Sequence, residues 1–160
     1  HALSFRGSMQ RSVMPISTFP VSIRTYDDAS QRMEVIALWE SVFGYDAPHN
    51  EPSLVIDRKL AVNDDMMFVA LSGGKVVGTI MAGYDGHRGW LYSLAVLPEH
   101  RGKGTGSALV RHAEQILHTH GCLKINLQIL ESNSPVLSFY ESLGYRIEPR
   151  VSMGKRHDGL

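Results

Sequence analysis

The chain has 160 residues, 43% of them hydrophobic and 20% charged, the balance of a soluble globular protein long enough for one domain with a substantial core. Sixteen basic and sixteen acidic residues cancel, which argues against nucleic-acid and membrane-surface binding, both marked by a basic excess; no apolar stretch reaches the roughly 20 residues of a membrane span. The one cysteine, Cys122, excludes an intrachain disulfide and fits a reducing cytoplasm.

The chain opens on His1 rather than Met, and the residues to Ser8 have no periodicity. They read as a cloning remnant, with Met9 or Met14 as the natural start. The segment to Pro20 reads as mobile or loosely docked, which leaves 21–160 as a single domain. Val21 to Arg24 alternates like a strand. Asp28 to Phe43 carries Met33, Ile36, Ala37, Trp39 and Val42 at helical spacing. After a loop to Pro52, a short helix is expected near Ser53 to Val62. Met66 to Leu71 is a continuous apolar strand, and Ser72-Gly73-Gly74-Lys75 is a hairpin signal. Val76 to Tyr84 and Trp90 to Leu97 are the next strands, joined by a turn at 85–89.

A helix is expected from Ser107 to His120, with Ala108, Leu109, Ala113, Ile116 and Leu117 on one side and Gly121 as its cap. Cys122, just beyond, reads as a small buried residue. Lys124 to Leu130 alternates, with Ile125, Leu127 and Ile129 on one face. Asn133 is an N-cap candidate for a last helix that has Pro135 in its first turn and ends at Gly144. Tyr145 to Met153 reads as a final strand or strand pair. The order β-α-α-β-β-β-α-β-α-β implies an α/β (α+β) fold, a mixed sheet with helices on both faces.

The most informative segment is Arg101-Gly102-Lys103-Gly104-Thr105-Gly106, between the central strand and the third helix. Glycines at alternate positions let the backbone approach a ligand closely. The following helix start offers unpaired N–H groups with partial positive charge, so the turn is a natural pyrophosphate cradle. It is not a P-loop, because Gly104 follows Gly102-Lys103 where a hydroxyl residue is needed. It is not a dinucleotide fingerprint either. The third glycine position falls on Ser107, and no carboxylate stands near Gly121-Cys122, where the ribose acid belongs.

The segment does fit Arg/Gln-x-x-Gly-x-Gly/Ala, and here the chain resembles the GNAT family of acyl-CoA-dependent N-acyltransferases. The match includes Leu94-Ala95-Val96-Leu97-Pro98 upstream. Downstream it includes Asn133-Ser134-Pro135, Tyr140 seven residues after the Asn, and Gly144-Tyr145. The resemblance covers about residues 21–153. Its 83–89 turn and Gly78-Thr79 look like the bacterial YpeA-like branch. It implies a mostly antiparallel central sheet, acetyl-CoA as co-substrate, an amine acceptor and no metal. Homodimers are common in the family, but no interface can be located from this sequence.

The resemblance also assigns roles. Backbone N–H groups of Arg101, Gly102, Lys103, Gly104, Thr105, Gly106 and Ser107 would bind the pyrophosphate. The Arg101 side chain either adds charge or braces the loop, and Lys103 either reaches a ribose phosphate or is solvated. Leu94, Ala95 and Val96 would hold the pantetheine arm through backbone groups, as a strand edge holds a peptide. The Leu94 N–H would face the thioester oxygen, where negative charge grows as an amine attacks. Asn133 would help position the cofactor. Tyr140 would protonate the leaving thiolate; its spacing with Val136, Leu137 and Leu143 also suits a core tyrosine.

The general base is less legible. Family members place a Glu at the positions of Trp90 or Gln128, and neither residue here is a base. Asp85 and His87, or Glu51 and His49, are the remaining candidates, with an ordinary exposed turn as the alternative for the first pair. His112, His118 and His120 lack zinc spacing and read as surface residues. The implied function is acetyl transfer to a primary amine by direct attack in a ternary complex. The alternatives are a non-catalytic acyl-CoA-binding module and a transferase for a longer acyl donor.

Overall fold

The structure is a computed structural model and describes residues 20–44 and 50–158. The expected leading remnant and mobile segment, and His49, lie outside the described residues. The chain divides between Leu127 and Gln128 into two compact units.

The first unit is built on a five-stranded sheet. Its strands are β1 (Val21–Thr25), β2 (Met67–Ser72), β3 (Lys75–Tyr84), β4 (Gly89–Val96) and β5 (Ile125–Asn126), paired in that order. The first three pairings are antiparallel, and β4–β5 is parallel. Helices α1 (Asp28–Phe43) and α2 (Pro52–Val62) precede β2, and α3 (Thr105–Thr119) lies between β4 and β5.

β2 and β3 are buried along almost their whole length, so their side chains serve two cores. Val69 and Met81 pack with Val35, Leu38 and Trp39 of α1 and Ile56 of α2. On the other face, a Cβ at Gly78 would stand 3.0 Å from Leu109 Cδ1 of α3, and Phe68 meets His112 of α3 edge-on at 4.7 Å. Helices therefore cover both faces, as the element order implies.

Two expectations for the helices change. Met33 and Ala37 are exposed, and the buried stripe of α1 is Val35, Leu38 and Trp39. Those three have i, i+3, i+4 spacing, which brings them onto one side. His112 is half-buried rather than fully exposed, and burial against Phe68 moves its imidazole below the ordinary pKa. Cys122 is buried as expected, and its thiol donates to the Lys124 carbonyl at 3.3 Å.

In the second unit, α4 (Ser134–Ser142) begins at Asn133, contains Pro135 in its first turn and ends before Gly144, whose φ is +95°. The Tyr145 N–H closes the helix on the Tyr140 carbonyl at 3.1 Å. No final strand forms among the described residues 145–153. Pro149 has no N–H to give a ladder, and the Arg150 N–H folds back onto the Glu148 carbonyl at 2.8 Å. Ile147, Val151 and Met153 are left exposed. The strand expected over 124–130 is also shorter, because pairing with β4 stops at Trp90–Asn126.

Candidate active site

The centre of the first unit's sheet is irregular at one point. Thr79 pairs with Ala95 and Met81 with Tyr92, so Ile80 alone opposes both Ser93 and Leu94. This is a β-bulge, which bends a strand and re-aims its groups. Ser93 takes a left-handed conformation, φ +51°, which costs a non-glycine residue about 1–3 kcal/mol unless its surroundings enforce it. Those surroundings are visible. The Trp39 indole N–H donates to Thr79 Oγ1 at 2.8 Å, and the Thr79 hydroxyl donates to the Ser93 carbonyl at 3.1 Å. Trp39 and Thr79 are both buried.

Among the described residues β4 pairs beyond Trp90 only with β3, so its other edge has no strand partner from Leu91 to Val96. The Leu97 N–H bonds back to Val77 of β3 at 2.9 Å. Backbone alternation therefore turns the N–H and C=O of Val96 toward the open edge. There the Val96 carbonyl accepts a hydrogen bond from Arg101 Nε at 3.0 Å. Of the two readings for Arg101, the structure contains the bracing contact.

The strand leads through a 3-10 turn, Pro98–His100, into the glycine loop. His100 is buried there, a feature that no sequence pattern announced. Gly102 and Gly104 have φ of +72° and +83°, and a Cβ on either would meet nothing within 4 Å. Glycine is required here by backbone conformation, and the space above the loop is free for a ligand. Gly104 is also the N-cap of α3, which begins at Thr105, two residues earlier than expected. With no side chain at the cap, the first N–H groups of α3 get no capping bond from it. Thr105 is buried and anchors the first turn; Gly106 and Ser107 are half-buried in it. Lys103 is exposed. A pyrophosphate fits this cradle, and an extended amide-bearing arm fits the edge of β4.

At the other end of β4, the turn holds Asp85 and His87, both exposed. Asp85 Oδ1 accepts from the backbone N–H groups of both His87 and Arg88, each at 2.7 Å. These bonds, first that of Arg88 and then that of His87, hold the carboxyl below its ordinary pKa. His87 Nδ1 lies 3.3 Å from Arg88 Nη1. Glu51 is exposed at the N-cap of α2 and makes no capping bond. Trp90 is half-buried, and Gln128 donates through Nε2 to Ser152 Oγ at 2.6 Å.

Between α2 and the β3–β4 hairpin lies an open groove of about 360 Å³. Its walls include Val55, Arg58 and Val62 of α2, Met81 and Tyr84 of β3, and Tyr92 of β4. Lys59, also lining it, is held by Asp64 at 2.8 Å and by the Ala82 carbonyl at 2.5 Å. Tyr92 is half-exposed, and burial followed by the charge of Asp85 raises its phenol pKa.

In the second unit, Asn133 occupies the N-cap of α4 without a side-chain capping bond. Tyr140 is buried, with Phe139 and Tyr145 edge-on at 5.1 and 5.4 Å. Burial pushes its phenol up to about 12, so it stays protonated throughout the neutral range. Among the described residues no group of three His, Cys, Asp or Glu side chains could hold a metal ion, and no helix is long and apolar enough to cross a membrane.

Comparison with known proteins decides the family. The model of the acetyltransferase (GNAT) family matches residues 32–145. The chain belongs to the GNAT family. An acetyltransferase of Yersinia pestis is 42% identical over 123 residues, which cover 77% of this chain and 86% of that one. Solved structures share the fold. The aminoglycoside N-acetyltransferase AAC(6')-Iy in complex with CoA superposes with a TM-score of 0.70 at 17% identity, over 86% of this chain and 95% of that one. PaiA N-acetyltransferase from Thermoplasma acidophilum, in complex with coenzyme A, gives 0.71 at 19% identity, over 83% and 94%. Glucosamine-6-phosphate N-acetyltransferase from Arabidopsis thaliana gives 0.64 at 22% identity, over 87% and 99%. This GNAT protein is an acetyl-CoA-dependent acyltransferase, with acetyl-CoA as co-substrate.

Proposed function

We propose that this GNAT protein transfers the acetyl group of acetyl-CoA to a primary amine by direct attack, within one domain spanning 21–160. The observation that carries this reading is the bulged, open-edged β4 running into an uncapped glycine loop. Acetyl-CoA supplies an activated acyl group and a thiolate leaving group. The N–H groups from Arg101 to Ser107 bind the pyrophosphate, and the Val96 N–H, at the edge of β4 away from β3, orients the pantetheine arm, with Ala95 beside it in the strand. The Leu94 N–H donates to the carbonyl oxygen as negative charge gathers on it, which is worth more there than in the ground state. Asn133 helps to position the arm. Tyr140, protonated at neutral pH, donates to the sulfur as the C–S bond breaks.

The acceptor enters the groove beside Tyr84 and Tyr92. The neighbours named above are an aminoglycoside N-acetyltransferase, a glucosamine-6-phosphate N-acetyltransferase and the PaiA N-acetyltransferase, which supports nitrogen as the acceptor atom. For the proton of the incoming amine, Asp85 is poorly suited, since two backbone N–H groups already stabilise its anion. The amine reacts from its neutral fraction and loses its second proton to water; His87, the other candidate in the turn, is the side chain to test as an alternative base.

The test is release of free CoA from acetyl-CoA in the presence of a panel of amino sugars, polyamines and lysine peptides, with mass spectrometry of the products. One N-acetylated product formed catalytically supports the reading. Tight acetyl-CoA binding with no acetylated amine, or transfer only from longer acyl-CoA donors, would replace it with the corresponding alternative.

A further inference from the structure

We propose that Trp39 and Thr79 are positioning residues of the transferase site. Their buried hydrogen-bond chain sets the direction of the Leu94 N–H. The inference rests on the proposal above that this N–H meets the thioester oxygen.

The peptide unit joining Ser93 to Leu94 is planar and trans, so the Ser93 C=O and the Leu94 N–H point in opposite directions. Whatever fixes one fixes the other. The Ser93 carbonyl is held by the Thr79 hydroxyl at 3.1 Å, from the β3 side. The Leu94 N–H must then point away from Thr79, where β4 has no second strand partner.

Thr79 is itself oriented. Its hydroxyl has one proton to give, and its oxygen receives the Trp39 indole N–H at 2.8 Å. With that donor in place, the Thr79 proton is directed to the Ser93 carbonyl. Thr79 is fully buried and Trp39 nearly so, so water does not compete for either bond. The chain runs from α1 through β3 to the bulge, and it acts on the residue whose left-handed φ needs enforcing. A plain packing role would need only the shapes of the two side chains. The directed bonds give the pair a further consequence, a fixed donor where charge develops.

Thr79→Val keeps the shape and removes the hydroxyl; Thr79→Ser restores it. With leucine 15N-labelled, the Leu94 amide proton should move downfield when acetyl-CoA is added to the wild type. In Thr79→Val that movement should shrink to less than half, and Thr79→Ser should recover it. Turnover should follow the same order: kcat about 10- to 100-fold lower in Thr79→Val, near wild type in Thr79→Ser, with acetyl-CoA affinity changed little in both. If Thr79→Val does not fold, Trp39→Phe, which removes the indole donor together with part of the ring, should show the same loss of the Leu94 shift. A full Leu94 shift and unchanged kcat in Thr79→Val would overturn the positioning role alone. Equal losses in the Val and Ser variants would assign the effect to packing and overturn it as well. A wild-type Leu94 amide that ignores acetyl-CoA would instead remove the oxyanion reading on which this one stands.

Discussion

The two ends of β4 solve different problems with the same kinds of group. At the bulge, a strained backbone is held by buried side chains, Trp39 and Thr79, through the Ser93 carbonyl. At the turn before Gly89, the reverse holds. The Asp85 side chain is spent on its own backbone, and Asp85, Gly86 and His87 are all exposed. Charged side chains in a turn look like chemistry in a sequence, and an apolar strand does not. On the function proposed above, the catalysis falls to the backbone of the apolar strand, because a preset N–H needs no reorganisation as charge develops.

The largest expected effect falls outside both ends. Tyr140→Phe should lower kcat about 100-fold or more, the usual range for losing a general acid, while calorimetry finds acetyl-CoA affinity nearly unchanged. Unchanged kcat would leave backbone donors as the whole of the catalysis. Next comes the loop that the bulged strand feeds. Gly104→Val puts a β-branched residue at φ +83°, at a cost of about 1–3 kcal/mol. Its Cβ would enter the space above the loop, so acetyl-CoA affinity should fall at least about tenfold. Full affinity would move the pyrophosphate elsewhere.

Thr79→Val should also cost stability, because it strands the Trp39 N–H in the core; about 1–3 kcal/mol is expected in urea unfolding. The smallest effects belong to the turn. Asp85→Asn and His87→Ala should each change kcat less than about threefold, since a general base would be worth about 100-fold. A hundredfold loss in either would put the base in the turn and reverse the comparison. Asp85 should show instead in the acid stability of the wild type. Its folded pKa lies below the ordinary value, so its contribution is present above about pH 4 and is lost as pH falls through the folded value.

The pH dependence of turnover sharpens the same contrast. If the amine reacts from its neutral fraction, kcat/KM should rise with pH up to the pKa of the acceptor. Tyr140, pushed up to about 12, should impose no falling limb below pH 10.

How much of this was readable in the sequence follows from how local each feature is. The glycine loop was legible because Gly102 and Gly104 are demanded by their own φ values. The sheet and its helices were legible from periodicity, which also placed Asn133 and Gly144 at the ends of α4. The bulge was not, since nothing about a serine at 93 announces a left-handed backbone. The Trp39–Thr79 bond joins residues 40 positions apart, and no local pattern reports such a contact. Alternation overstated the strands at 124–130 and 145–153, because a strand also needs a partner. Ladder pairing beyond Asn126 ends with the β4 contact, and Pro149 breaks the last segment. In α1, apolar residues lie on more than one side, and only packing selected Val35 and Leu38 over Met33.

The most direct test sets the two ends of β4 against each other in one assay, the kcat of Thr79→Val beside that of Asp85→Asn with the same acceptor. The account predicts that the buried, uncharged substitution is the slower enzyme, by about tenfold or more. An Asp85→Asn enzyme slower than a near-normal Thr79→Val would contradict it and move the chemistry from the strand to the turn.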